Sequence, residues 1–365
     1  MKKIIIVILL GFLSFSLGSC KNPDPTSVNY SPNFNYTEIS AEPSSLEDTV
    51  DKIYDSVVSI KTYINNKHYS SGSGIIISYD EKLNLSFILT CDHVIDGGTS
   101  FEAIVNNIDK PLEAKLVGGD KRNDVALLSI EGINYNYATI NKEDSLRLAS
   151  TVIAIGNPLG TLPGSVSIGH VSYLRREVMS SDYYTMELIQ TDTAINSGNS
   201  GGGLFDVYGT LVGIVNAKFA NTGVEGLGFA IPISTAFKVI DDIFKTAKYN
   251  ESTKTWVKGY KIDSWELGFT VSDLISFPFK YVGISEVSAN PNSSGYNMFM
   301  VGDQILKAYY KQGLEEVDLN ISSSSAFYQT LYQLNLKVGD KFYMDINRNN
   351  QQQTIEVPLV QFIPN

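Results

Sequence analysis

The 365-residue chain carries 28 lysines and arginines against 39 aspartates and glutamates, for a formal charge of −11, and 43 % of its residues are apolar. The length accommodates two or more cores, and the apolar share is ordinary for a soluble protein. The acidic balance disfavours nucleic acid and anionic lipid as partners, and no glycine loop runs into the Lys-Ser or Lys-Thr of a phosphate site.

Residues 1–20, MKKIIIVILLGFLSFSLGSC, open with two lysines, continue through an apolar stretch and end on small residues before Cys20. This pattern predicts a signal peptide, too short for a spanning helix. Leu17-Gly18-Ser19-Cys20 resembles a bacterial lipobox, which implies cleavage before Cys20, lipidation of that cysteine and a membrane anchor that does not span the bilayer. Cys91 would then be the one cysteine besides the lipidated residue, so no internal disulfide is expected. It is expected to be a small buried strand residue rather than a ligand, and with 3 histidines in the chain no zinc site is expected. Residues 21–43 have prolines and asparagines without apolar periodicity and read as a tether. Ser44 and Glu47 have the spacing of a capping box, before a short helical stripe of Leu46, Val50 and Ile53.

From Val57 the pattern changes to short apolar or alternating runs separated by turn residues. VVSIKTYI, GSGIIIS, LSFILT, EAIVN, EAKLVG, DVALLSI, STVIAIG, SVSIGHVSYL, MELIQT, TLVGIVNAKF and LGFAIP each predict a strand. So many strands in one stretch predict an all-β barrel or sandwich. Ala236, Phe237, Ile240, Ile243 and Phe244 recur at helical spacing over about 234–247, and 248–258 reads as a polar linker to a second unit.

Three segments carry chemistry. Residues 188–205, LIQTDTAINSGNSGGGLF, place Ser200 among glycines that allow a tight turn and exposed N–H groups. Alone this could be a Gly/Ser-rich hairpin loop. Residues 87–95, FILTCDHVI, bring His93 after an apolar run, and 120–128, DKRNDVALL, bring Asp124 before another. The order His, Asp, Ser is that of the chymotrypsin arrangement. A serine needs a neighbouring base to become a nucleophile, and these residues supply the set.

In GSGIII at 72–77, LTCDHVI at 89–95, NDVALL at 123–128, AIGNPLG at 154–160, IQTDTAINSGNSGG at 189–202 and GFAIPIS at 228–234, the chain resembles an HtrA-type (high-temperature-requirement) trypsin-like serine protease with a C-terminal PDZ domain. The resemblance implies a mainly β fold: a chymotrypsin-like double antiparallel β-barrel over 44–250, followed by a PDZ domain over 259–361. It implies His93, Asp124 and Ser200 as catalytic residues, with Gly198, Asn199 and Ser200 forming the oxyanion hole. Ala194, six before the nucleophile, would lie at the base of the specificity pocket and favour small or medium apolar side chains. Two positions depart from the family pattern: Gly203 and Ser197 stand where proline is usual, which loosens the expected loop.

WELGFTV at 265–271, MVGDQIL at 300–306 and LKVGDKFYMDINRNNQQQTIEVPL at 336–359 carry the PDZ resemblance. Leu267, Gly268 and Phe269 would then present backbone N–H groups to a peptide C-terminus, with Gly268 allowing the ligand's close approach. Ser325 would cap a helix bearing Phe327, Leu331 and Leu334. The expected function is an extracytoplasmic endopeptidase of the bacterial envelope, acting on unfolded or exported proteins without metal or cofactor. It would be lipid-anchored and, through an N-terminal segment containing Tyr30, Phe34 and Tyr36, a homo-trimer. The alternative is a proteolytically weak, chaperone-like or PDZ scaffold protein.

Overall fold

The computed structural model describes residues 32–36, 45–106, 108–140, 144–157, 164–179, 185–217, 226–276, 278–313 and 315–363. The expected signal peptide, Cys20 and Ser44 lie outside them. Within the expected tether, β1 (Asn33–Tyr36) is a strand, and its Phe34 ring packs edge-on against Phe237 and Phe244 at centroid distances of 5.5 and 6.0 Å. Helix α1 (Leu46–Ile53) is capped by Ser45, not Ser44: the Ser45 hydroxyl accepts from Asp48 N–H at 3.1 Å.

Six antiparallel strands close the first barrel: β2 (Val57–Ile64), β3 (Lys67–Asp80), β4 (Leu85–Thr90), β5 (Ser100–Ile104), β6 (Leu112–Asp120) and β7 (Val125–Glu131). The β3–β4 pairing completes the ring. Every residue of β4 is buried, as is β7 up to its last position, which is why both read as predominantly apolar runs. A one-turn helix, α2 (Asp92–Ile95), follows β4.

After β8 (Thr139–Ile140), the second barrel consists of β9 (Thr151–Gly156), β10 (Ser165–Met179), β11 (Thr185–Thr191), β12 (Gly203–Asp206), β13 (Thr210–Val215) and β14 (Gly228–Pro232). β1 joins the barrels, pairing antiparallel with β3 and parallel with β8, which in turn pairs with β13. Gly203 opens β12, in register with Ile155 and Ile214, so it sits in a ladder rather than in a loosened loop. A Cβ there would meet the Phe205 ring, which would have to shift to admit it.

Helix α3 (Ile233–Thr246) is followed by β15 (Lys248–Asn250) and β16 (Thr255–Val257). This hairpin occupies the segment expected to be a linker. Trp256 packs edge-on against Phe87 and tilted against Tyr249, and its indole N–H donates to Ser129 Oγ at 2.9 Å. Gly259 N–H then donates to Val117 O at 2.7 Å, and a Cβ at Gly118 would strike the Gly259 carbonyl.

The C-terminal unit has its own core, including Trp265, Ile284, Phe327, Leu331, Phe342 and Val357. Its strands β17 (Phe269–Ser276), β18 (Phe279–Val287), β19 (Gln304–Gln312), β20 (Glu315–Asp318), β21 (Lys341–Arg348) and β22 (Gln351–Pro358) form one sheet, with α4 (Ser324–Gln333) beside β17. The cap of α4 is Ser323, whose hydroxyl accepts from Ala326 N–H at 3.1 Å; Ser325 lies inside the helix. Among the described residues no helix is long and apolar enough to cross a membrane.

Candidate active site

His93 sits on α2, where the chain leaves the buried β4 strand. Asp124 ends the turn between β6 and β7 with φ +54°, a left-handed conformation that Asp tolerates better than most residues. Asp124 is buried, and its two oxygens accept from His93 N–H at 2.8 Å and from His93 Nδ1 at 2.6 Å. Asn216, fully buried, donates its side-chain amide to the same carboxylate at 2.8 Å. A carboxylate at Nδ1 fixes the neutral ring so that Nε2 is the acceptor.

The residues after β13 connect the pieces in succession. Val215 O accepts from Cys91 Sγ at 3.5 Å, Asn216 reaches Asp124, and Ala217 N–H donates to Ser200 Oγ at 3.1 Å. Ser200 is only 5 % exposed, so the loop is set into the protein. Among the described residues no hydrogen bond joins its hydroxyl to His93. Having accepted from Ala217, the hydroxyl keeps its proton for donation.

Ser73, in β3, holds the loop from the first barrel. Its N–H donates to Ser200 O at 2.8 Å and its hydroxyl to Gly198 O at 2.9 Å, while Asn157 N–H donates to that hydroxyl at 2.8 Å. Gly198 has φ +96°. Among the described residues, neither the Gly198 N–H nor the Ser200 N–H has a protein acceptor. Asn199 differs from the expected set of three: its N–H is engaged by Asn196 O at 3.0 Å. Ala194 is exposed, whereas its neighbour Ile195 is buried against Gly228.

Ligand atoms of Cys91, His93 and Asp124 lie within 4.8 Å of one another, a metal-like spacing. The Nδ1 and carboxylate oxygens an ion would need are already joined by the 2.6 Å hydrogen bond, and Cys91 points at Val215 O. The cluster is that of a hydrogen-bonded acid–base pair. Beside it Asp92, partly buried and facing Asp124, Asp96 and Asp120, has its pKa pushed up to about 8, chiefly by burial. Asn216, Ser73 and Asp92 carried no local signal in sequence; they matter through contacts that only the closed barrels create.

A second concave region lies in the C-terminal unit. A groove of about 440 Å³ runs between β17 and α4, lined by Leu267, Gly268, Phe269 and Val271 on one side and Tyr328 on the other. Leu267 and Gly268 N–H groups have no acceptor among the described residues. Gly268 has φ +72°, and a Cβ there would strike Ser293 Oγ. Packing inside the unit and the left-handed backbone therefore already favour glycine there. The β17 edge is also not free, since Val271 N–H donates to Tyr328 Oη at 2.8 Å.

Two closed six-stranded antiparallel barrels, a matching peptidase-domain model and relatives named as serine proteases define a trypsin-like serine endopeptidase. A trypsin-like peptidase domain model matches residues 72–214. The chain is 30 % identical over 355 residues to the serine protease Do-like HtrB of Bacillus subtilis (strain 168), covering 87 % of this chain and 71 % of that protein. It belongs to the HtrA family of serine proteases. A probable periplasmic serine endoprotease, DegP-like, of Ectopseudomonas mendocina (strain ymp) is 35 % identical over 292 residues, 80 % of this chain and 56 % of that one. Among solved structures, the HtrA-type protease AlgWS227A with a tripeptide superposes with a TM-score of 0.54 at 27 % identity, covering 88 % of this chain and 98 % of that one.

Proposed function

We propose that Ser200, His93 and Asp124 form the catalytic triad of an endopeptidase that degrades unfolded or exported proteins outside the cytoplasm. The carrying observation is the Asp124 carboxylate, which accepts from both the backbone and the ring of His93 and leaves Nε2 as the base. His93 takes the Ser200 proton as the hydroxyl attacks the scissile carbonyl and returns it to the leaving amine. The free Gly198 and Ser200 N–H groups receive the oxyanion. Ala194, six residues before Ser200 and exposed, offers no acid to pair with a basic side chain, so cleavage follows small or medium apolar residues rather than Lys or Arg. Ser200→Ala should slow hydrolysis of unfolded casein by about 10⁴-fold or more. Cleavage at the wild-type rate would remove Ser200 from the mechanism.

The C-terminal unit acts as a PDZ domain that captures peptide C-termini, with Leu267 and Gly268 N–H groups receiving the carboxylate and β17 pairing with the peptide strand. The groove between β17 and α4, with the Leu267 and Gly268 N–H groups at its end, supports this reading. Lipidation at Cys20 anchors the protein to the cell envelope, in keeping with the periplasmic name of the DegP-like relative. With Cys20→Ser, labelled palmitate should no longer be incorporated and the protein should move to the aqueous phase of a detergent extraction; retention in the detergent phase contradicts the anchor. The assembly is a homo-trimer, testable by sedimentation.

A further inference from the structure

We infer that Lys121, on the β6–β7 turn of the first barrel, supplies the counter-charge for the peptide carboxylate in the groove of the C-terminal unit. The peptide site is then complete only when both units of the chain are docked. This rests on reading the groove as a site for peptide C-termini.

The groove lining joins Lys121 to Glu266, Leu267 and Gly268. Lys121 is the lining residue that comes from the first barrel, and the one cation among the described lining residues, where Glu266 and Glu286 are the acids. Its ammonium makes no ion pair or hydrogen bond among the described residues. A carboxylate placed on the Leu267 and Gly268 N–H groups would meet Glu266 beside it. Without a cation the two like charges oppose each other; Lys121, lining the same groove, offsets one of them. Burial also pushes the Glu266 pKa up to about 7, which reduces the opposing charge near neutrality.

The geometry that delivers Lys121 is held at both ends. Asp120 accepts from Asn123 N–H at 2.9 Å and from the Asn123 side chain at 2.5 Å, and Asp124 N–H donates to Lys121 O at 3.2 Å. The next residue, Arg122, lies over the Trp265 and Tyr332 rings of the C-terminal unit at 5.4 and 5.5 Å. Those two rings stack on each other with centroids 5.7 Å apart, and Tyr332 itself lines the groove. One turn therefore presents Lys121 to the groove, Arg122 to the neighbouring unit and Asp124 to His93.

The test uses the intact chain carrying Ser200→Ala and a ten-residue peptide with an apolar C-terminus, as free acid and as amide, followed by calorimetry. The parent should bind the acid more tightly than the amide. Lys121→Gln should weaken the acid about fivefold and leave the amide unchanged, and Lys121→Arg should keep the acid within about twofold of the parent. If the parent distinguishes acid from amide and Lys121→Gln distinguishes them equally well, the assignment of Lys121 is wrong while the carboxylate reading stands. Equal binding of acid and amide by the parent overturns the carboxylate reading, and the role of Lys121 with it.

Discussion

Two hydrogen bonds set the behaviour of single residues here. Asn216 donates to a buried carboxylate that also holds His93, so Asn216→Ala leaves Asp124 with one donor fewer in a dry setting. A hydrogen bond to a charged group contributes about 1.5–3 kcal/mol, and the variant should melt earlier by a corresponding amount and cleave casein more slowly. Unchanged melting and unchanged rate would mean that water replaces the amide without cost. Tyr328 behaves in the opposite sense. Its hydroxyl occupies the Val271 N–H, the donor a peptide strand would need along β17. Tyr328→Phe empties that position, so a bound peptide gains a partner without displacing one; affinity should rise about threefold to tenfold by titration. A fall in affinity would show that the hydroxyl serves the peptide instead. The residues of the candidate active site were legible because a serine among glycines, a histidine after an apolar run and an aspartate before another occur in a set order. Asn216 and Tyr328 were not, since neither lies in a local pattern and each acts across more than 50 residues of chain.

At the scale of elements, burial decided what could be read. Strands such as β4 and β7, covered on both faces, leave long apolar runs that have few other interpretations. The β15–β16 hairpin has three residues in each strand and mostly exposed side chains, so its sequence resembles a linker. What fixes it is Trp256 against Phe87 and Tyr249, a contact made far along the chain. Trp256→Ala should cost about 3 kcal/mol, the low end for a large aromatic truncation because the ring is half-buried. Denaturant unfolding measures this, and a loss well under 1 kcal/mol would make the hairpin a passive spacer. Helix caps were misplaced by one or two positions because both helices begin in serine runs. Ser45 and Ser323 have extended backbone and accept from Asp48 and Ala326 N–H, a geometry that composition does not record.

Across the whole molecule the acidic balance has a pH signature. Burial raises the carboxyl pKa of Asp92 to about 8 and of Glu266 to about 7, and also raises those of Asp120 and Asp206. A raised folded-state pKa means that the native protein holds the proton more tightly than the unfolded chain. The stability it contributes is present below the unfolded carboxyl range, near pH 4, and is lost as pH rises through about 7 and 8. Glu131 and Glu356 are shifted downward by Lys254 and Lys341 and act in the opposite sense at lower pH, outside this window. The melting temperature should therefore fall between pH 5 and pH 9, and Asp92→Asn should flatten the decline. A wild-type profile that is level over that range, or one that the substitution leaves unaltered, would contradict the assignment.

The strand β1 gives the fold a mechanical property. Its first two residues pair with Tyr79 and Ser78 of β3, and its last two with Thr139 and Ile140 of β8. Four residues thus stitch the first barrel to the strand that leads into the second. Tension applied through the residues before Asn33 enters the protein along this strip, where it loads the backbone bonds in shear rather than peeling them one by one. A membrane attachment upstream would therefore pull on the seam between the barrels, and Ser200 and His93 stand on opposite sides of that seam. Holding the protein by its amino-terminal end is not equivalent to leaving it free in solution. Stretching single molecules from that end, with cleavage of a fluorogenic peptide as the readout, should show turnover changing with load before either barrel unfolds.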